Sequence, residues 1–250
     1  MKEKILLTLL SVFALIIIWS LLSVSGLINK LFLPTPLEVA GKLIDLIATG
    51  EVFPDILATL YRTLIGFLAG SMLGISIGLV MGYYKKVYDS LEFIVDFFRS
   101  IPATALFPLF LLFFGIGDEA KIVVVVFASS LIVIVNTMYG VRNRSQIRSN
   151  FAKTIRLSNL NLFKKVILPD SMPHIFAGLR IAISISLVLA VVTEMFIGTS
   201  FGLGRRIVDA QLVYRVPEMY AAIILTGIIG YLINWIVLFV EKRKIHWRGK

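Results

Sequence analysis

Five ionisable side chains fall inside or at the ends of stretches otherwise apolar enough to cross a bilayer: Arg62, Asp96, Arg99, Arg180 and Glu194. A charge at the centre of a spanning helix costs about 2.5–3.5 kcal/mol or more, so each is either a paired or interfacial group or part of the wall of a polar pathway. Arg62 and Arg180 lie close enough to helix ends to extend towards the interface, and Asp96 and Arg99, three residues apart, can pair on one helix face. Arg62, Arg99 and Glu194 are the candidates for lining a pathway. Other chemistries find little support. The chain has no cysteine and only His174 and His246, which removes disulfides, thiolate sites and a cysteine nucleophile and leaves no basis for a histidine-rich metal centre. No metal or cofactor is expected. There is no G-x-x-x-x-G-K-[ST] phosphate loop and no H-E-x-x-H, and Gly202-Leu203-Gly204 follows no predicted strand. An enzyme working in the membrane would need convergent polar residues at one depth, and Asp, Glu and His are sparse.

The elements that position these residues are spans. With 58% hydrophobic and 16% charged residues and a mean hydropathy of +0.91, the composition is not that of a water-soluble domain. Apolar runs long enough to cross about 30 Å of hydrocarbon lie near residues 5–24, 56–84, 93–115, 122–139, 175–196 and 219–240. They predict an all-α membrane protein of six transmembrane helices in a single domain over 1–250, with no broken span and no internal repeat. An alternative makes Lys2, Lys4 and the first run a secretory signal cut near Ser23-Val24-Ser25, leaving five spans.

Orientation follows from the basic residues. The segment 141–170 carries Arg142, Arg144, Arg148, Lys153, Arg156, Lys164 and Lys165, and the tail adds Lys242, Arg243, Lys244, Arg248 and Lys250. With Lys2, Lys4, Lys85 and Lys86 these mark the cytoplasmic side, against Lys30, Lys42, Lys121, Arg205, Arg206 and Arg215 outside, so both termini are expected in the cytoplasm. This asymmetry accounts for most of the +10 net charge, and no nucleic-acid partner is inferred from it.

Three local patterns refine the picture. Thr35-Pro36 with Glu38 reads as the capped start of a short external helix ended by Gly50, with Leu37, Ala40, Ile44 and Ile47 on a face suited to the membrane surface. Gly66, Gly70, Gly74, Gly78 and Gly82, four residues apart, form a stripe without side chains against which another helix can pack closely. The loop from Gly198 to Pro217 reads as a turn shaping the outer mouth. In the cytoplasmic linker, Asn150–Ile155 and Asn159–Ile167 have helical composition, and Leu168-Pro169 should stop the second stretch. Phe151, Ile155, Leu157 and Leu160 have no reason to face water unless they pack on the chain's own spans or on a partner.

At this linker the chain resembles the permease subunits of binding-protein-dependent ABC importers, whose signature is E-A-A, three residues, Gly, nine residues, then I-x-L-P. Here the register reads Asn150-Phe151-Ala152, Arg156 and Val166-Ile167-Leu168-Pro169, with Asn150 and Arg156 as departures. The resemblance covers nearly the whole chain and is nearest the nitrate, sulfonate and taurine branch. It includes Leu33-Pro34-Thr35-Pro36, Thr59-Leu60-Tyr61-Arg62 with Gly66, Ile101-Pro102, Phe107-Pro108-Leu109, Phe114-Gly115-Ile116-Gly117, Pro173 with Gly178-Leu179-Arg180, Thr193-Glu194-Met195 and Gly202-Leu203-Gly204. It implies a type I importer fold in a bacterial or archaeal plasma membrane, two permease copies around the path, separate ATPase subunits and an external binding protein that delivers a small solute such as a sulfonate or nitrate. Asn150, Phe151, Ala152, Lys153, Thr154, Ile155, Arg156, Leu157 and Ser158 would then form the helix that docks on the ATPase. Arginine at the family glycine disfavours a left-handed backbone, so the helix is expected to run past Arg156 and turn near Ser158 or Asn159. A vitamin-precursor permease, an ion-coupled carrier and a channel are the alternatives.

Overall fold

The computed structural model describes residues 2–29 and 31–245; Lys30, His246, Arg248 and Lys250 lie outside the described residues, as does the side chain of Lys153. The helices in chain order are α1 (Lys2–Val24), α2 (Pro36–Thr49), α3 (Phe53–Tyr83), α4 (Lys85–Ser100), α5 (Phe107–Phe114), α6 (Asp118–Arg142), α7 (Gln146–Thr154), α8 (Asn159–Leu162), α9 (Leu168–Phe196), α10 (Leu203–Leu212) and α11 (Val216–Lys244). No strand occurs among the described residues.

The centre of the bundle is α3, α6 and α9. The glycine stripe runs along α3 where it meets α6, and the two helices run parallel. A Cβ placed on Gly66, Gly74 or Gly82 would lie 2.5–2.6 Å from the Cβ of Val125, Val133 or Val141, and one on Gly70 would lie 2.0 Å from Ser129 Oγ. Backbones this close leave no room for any side chain between them, which is what a row of small residues permits in a membrane helix pair. The α6–α9 seam uses the same device more sparsely, with Gly140 against Ser171 and His174 and Gly178 against Asn136.

Long apolar helices at α1, α3, α6, α9 and α11 match five of the six expected spans. The remaining one, expected as an unbroken run over 93–115, is instead bent by 87° between α4 and the turn and helix that follow. Its cause is local. Pro102 pushes the preceding residue out of helical backbone, so Ile101 is extended (φ −83, ψ 123), and Pro108 opens α5. The expectation of no broken span is therefore corrected.

Pro169 also acts differently from expectation. It does not stop the linker helix: a π-helical turn over Phe163–Ile167 leads directly into α9, and the proline falls in the first turn of the register that follows. A wider turn just upstream is a way to seat a proline without ending the helix.

The capping box of α2 forms as the spacing predicts: Glu38 N donates to Thr35 Oγ1 at 3.3 Å, Thr35 N donates to Glu38 Oε2 at 2.7 Å, and Gly50 ends the helix with φ +80. The buried face of α2, however, is Val39 and Leu46, packed with Leu203, Ala221 and Leu225, while Leu37, Ile44 and Ile47 point outward. Towards its end α1 is tied to this region, with Trp19 Nε1 donating to Pro34 O at 2.9 Å and its ring stacked on Tyr220. From Leu6 to Ile18 its apolar side chains are exposed, the arrangement suited to a lipid-facing or partner-facing helix.

Candidate functional site

Two features stand at opposite ends of the bundle. At the end carrying α2 and α10, one face of α3 presents Asp55, Thr59 and Arg62, spaced by four and three residues and so stacked above the glycine stripe. Arg62 is 3% exposed and Glu194, on α9, 2%. Arg62 Nη1 donates to Glu194 Oε1 at 2.6 Å and to Phe201 O at 2.9 Å, and Nη2 donates to Thr199 Oγ1 at 2.9 Å. Nε and Nη2 both reach Asp118 Oδ1, each at 2.9 Å. Every N–H of the guanidinium thus has an acceptor, the condition under which a buried ion is tolerated. Glu194 also accepts from Thr59 Oγ1 at 2.9 Å and from the amide of Gly204 at 3.0 Å.

These contacts fasten α10 to the bundle. The segment 198–217, read from the sequence as a turn, contains this ten-residue helix. Leu203 N donates to Thr59 Oγ1 at 2.9 Å and Gly202 N to Asp55 Oδ1 at 2.8 Å. Gly202 is required twice over: its φ is +151, and a Cβ there would sit 2.5 Å from Glu194 Cδ. Arg206 on α10 joins Asp55 Oδ2 at 2.6 Å and Glu218 Oε1 at 2.8 Å. Burial works against the Arg206 cation, but its hydrogen bonds and charge pairing with Asp55 and Glu218 prevail and hold its pKa above the usual arginine value. Lys121, placed among the outer basic residues by sequence, is 1% exposed and donates to the carbonyls of Ile116, Gly117 and Gly198 at 3.0–3.2 Å.

Arg99 does not join this cluster. It lies on α4, exposed and paired with Asp96 at 3.2 Å. Arg180 pairs with Glu241, tying α9 to α11. Asp55, Lys121, Asp118 and Glu218 were not singled out from sequence. The available signal for Asp55 was its place on the Thr59–Arg62–glycine face of α3.

At the other end α7 and α8 form a short arm. Ala152 is 2% exposed and packs with Val141, Leu162 and Ile167, with Leu157 half-buried beside them. Ile147, Phe151, Ile155 and Leu160 are exposed, Phe151 at 66%. Of the four apolar residues expected to seek burial, only Leu157 finds it within the chain. Asp170 anchors the arm, accepting from Ser145 N at 3.2 Å and pairing with Arg148 at 2.9 Å. Of the nine residues 150–158, eight thus have described side chains, and six of those are exposed.

The helix does not run past Arg156. It ends at Thr154, and Arg156 takes φ +53. Ile155 N donates to Phe151 O and Leu157 N to Ala152 O, both at 3.1 Å, the second spanning five residues as in a left-handed helix stop. A non-glycine residue there costs about 1–2 kcal/mol, and burying Leu157 over Ala152 offsets it. The expected extension to Ser158 is corrected: the side-chain preference of arginine is weaker than the packing that the turn secures. Ser158 instead caps α8, accepting from Asn161 N at 3.4 Å.

Five long apolar helices and one bent pair, closed around a glycine seam, define a multi-spanning integral membrane protein. Residues 66–246 match the family model of binding-protein-dependent transport system inner membrane components, and the chain belongs to that family. It is 34% identical to a probable ABC transporter permease protein of Brucella abortus (strain 2308), covering 93% of this chain and 91% of that one. It is 31% identical to a putative aliphatic sulfonates transport permease protein of Bacillus subtilis (strain 168), covering 94% and 85%. A subunit of the MetNI methionine ABC transporter in an inward-facing conformation shares the fold, with a TM-score of 0.67 and 19% identity over 76% of this chain and 94% of that chain. The bent α4–α5 pair removes one of the grounds for setting a carrier aside, but the family match decides against that alternative.

Proposed function

We propose that the chain is the transmembrane permease subunit of an ATP-driven importer. Two copies enclose the path for a small anion, a sulfonate or nitrate, that an external binding protein delivers. The resemblance to the nitrate, sulfonate and taurine branch and the Bacillus subtilis relative support the substrate class. ATP is hydrolysed on a separate subunit, and the permease does no chemistry. The termini and the α7–α8 arm face the cytoplasm, while α2 and α10 face outward, in keeping with the distribution of basic residues.

The observation that carries the reading is the arm itself. Exposed Ile147, Phe151, Ile155 and Leu160 stand in a basic segment of a chain without a phosphate loop. An apolar surface of this kind suits a partner protein, and the family supplies an ATPase as that partner. Arg62 and Glu194 brace the outer end of the path rather than touch solute, because their polar atoms are already fully engaged.

Binding of the purified ATPase subunit of the same transporter to the permease in lipid nanodiscs tests the assignment. Phe151→Ala removes an exposed ring without disturbing the core, and a hot-spot aromatic of this kind carries about 2 kcal/mol, or roughly thirtyfold in Kd. Unchanged affinity and unchanged coupling of hydrolysis to uptake in Phe151→Ala would remove the arm as the docking surface.

A further inference from the structure

Arg156 sits at a position where glycine would be free of strain, and its side chain does nothing for the fold. The backbone turn is secured by main-chain hydrogen bonds and by Leu157, whereas the guanidinium is exposed and has no hydrogen bond or ion pair among the described residues. Between Val141 and Asp170 the only acidic residue is Asp170, already engaged by Arg148 and the Ser145 amide. Arg156, Lys164 and Lys165 therefore have no acidic partner within their own segment. Around them lie the exposed Phe151, Ile155 and Leu160 and a shallow groove of about 570 Å³ lined in part by Phe151, Ile155 and Lys165.

We infer that Arg156 is a specificity-determining contact for the ATPase: a cation on a backbone held by the left-handed turn, with its guanidinium free to meet a carboxylate at the rim of the apolar groove that receives Phe151. This rests on the docking role of the arm proposed above and adds which partner the arm accepts. Charge complementarity supports the choice of occupant, since a surface of exposed apolar side chains edged by unpaired cations fits an apolar groove with an acidic rim. With glycine at this position the turn would persist and the contact would be lost, so an ATPase lacking the rim carboxylate would be accepted as well.

The test is a titration of the purified ATPase subunit against labelled permease in nanodiscs of wholly zwitterionic lipid, at low and high salt. Arg156→Gly keeps the turn and should leave thermal stability equal or higher, while raising Kd about tenfold, as loss of a charge-assisted hydrogen bond does. Arg156→Lys should fall between the two, and the salt dependence of binding should shrink in Arg156→Gly. If Phe151→Ala weakens binding and Arg156→Gly does not, the role of Arg156 is wrong and the docking reading stands. If neither weakens it, both fail. If Arg156→Gly matters only when anionic lipid is added to the discs, the cation serves the membrane surface and the inference is overturned.

Discussion

Replacing Gly70 with alanine adds one methyl group at the tightest point of the α3–α6 seam. The new Cβ would lie 2.0 Å from Ser129 Oγ, 2.7 Å from Val126 O and 3.1 Å from Ser130 N. The Ser129 hydroxyl can rotate only by giving up its bond to Val125 O at 2.7 Å, and the other two atoms are backbone of α6. The helices must therefore separate, and every contact along the stripe loosens with them. Overpacking of this kind costs about 1–3 kcal/mol, against which alanine recovers at most about 1 kcal/mol of helix propensity. A chain of this size loses roughly 2–4 °C in Tm per kcal/mol, so the expected loss is a few degrees. Gly41→Ala on α2 is the matched control, because nothing lies within 4 Å of its Cβ and the propensity gain stands alone. Tm is read in detergent by tryptophan fluorescence at one fixed scan rate. Gly70→Ala should melt below the parent and Gly41→Ala at or above it. A Gly70→Ala protein as stable as Gly41→Ala would refute close packing of the seam.

Glu194→Gln should destabilise the protein by less than the roughly 3–5 kcal/mol of a fully broken buried pair, because Asp118 still faces the buried Arg62 cation, and the double variant Glu194→Gln with Arg62→Gln should recover part of that loss. Additive losses in a double-mutant cycle read by Tm would show that the pair is not coupled. For orientation, single cysteines replacing Lys85, Arg148 or Lys244 should react with an impermeant maleimide only after the cells are opened, and one replacing Lys42 should react in intact cells. Labelling at position 148 from outside would invert the assigned topology.

The sequence revealed most where a signal was local and repetitive. The five long spans, the α2 capping box and the glycine stripe depend on composition or on spacings of three and four residues, and the structure follows them. It was less informative where two local preferences competed. Pro102 broke a span that hydropathy joined, since its steric effect on Ile101 outweighs the apolar run, whereas Pro169 failed to break a helix because a π turn accommodates it. Arg156 took a backbone that arginine disfavours, because the burial of Leu157 is a long-range effect absent from the local pattern. The polar cluster was half legible. Arg62 and Glu194 stood out as charges in hydrocarbon, but their link to Asp55, Lys121 and Arg206 depends on α10 folding back over α3, which no spacing announces.

The two ends of the bundle are joined by one continuous packed column. The face of α3 that carries Asp55, Thr59 and Arg62 continues as the glycine stripe and ends at Gly82, beside Tyr83. There, Leu79 and Tyr83 pack onto the cluster of Val141, Ala152, Leu162 and Ile167 that seats α7 and α8, and Tyr83 meets Phe163 edge to face with centroids 5.8 Å apart. A seam made of backbone against short or β-branched side chains has little compliance, because packed interiors deform only at the cost of contacts along their whole length. A displacement of the arm therefore meets no soft layer along α3 and α6 before it reaches the ion pairs that hold α10. The interruptions of regular structure lie elsewhere, at the Ile101–Pro102 break between α4 and α5 and the π turn at Phe163–Ile167, while α1 is tied down near Trp19 and Ser23. The close-packed column thus runs unbroken between the two ends, and the interruptions of regular helix lie outside it. It also explains why the glycine stripe and the buried ion cluster share one face of one helix: each removes a different source of slack from the same column.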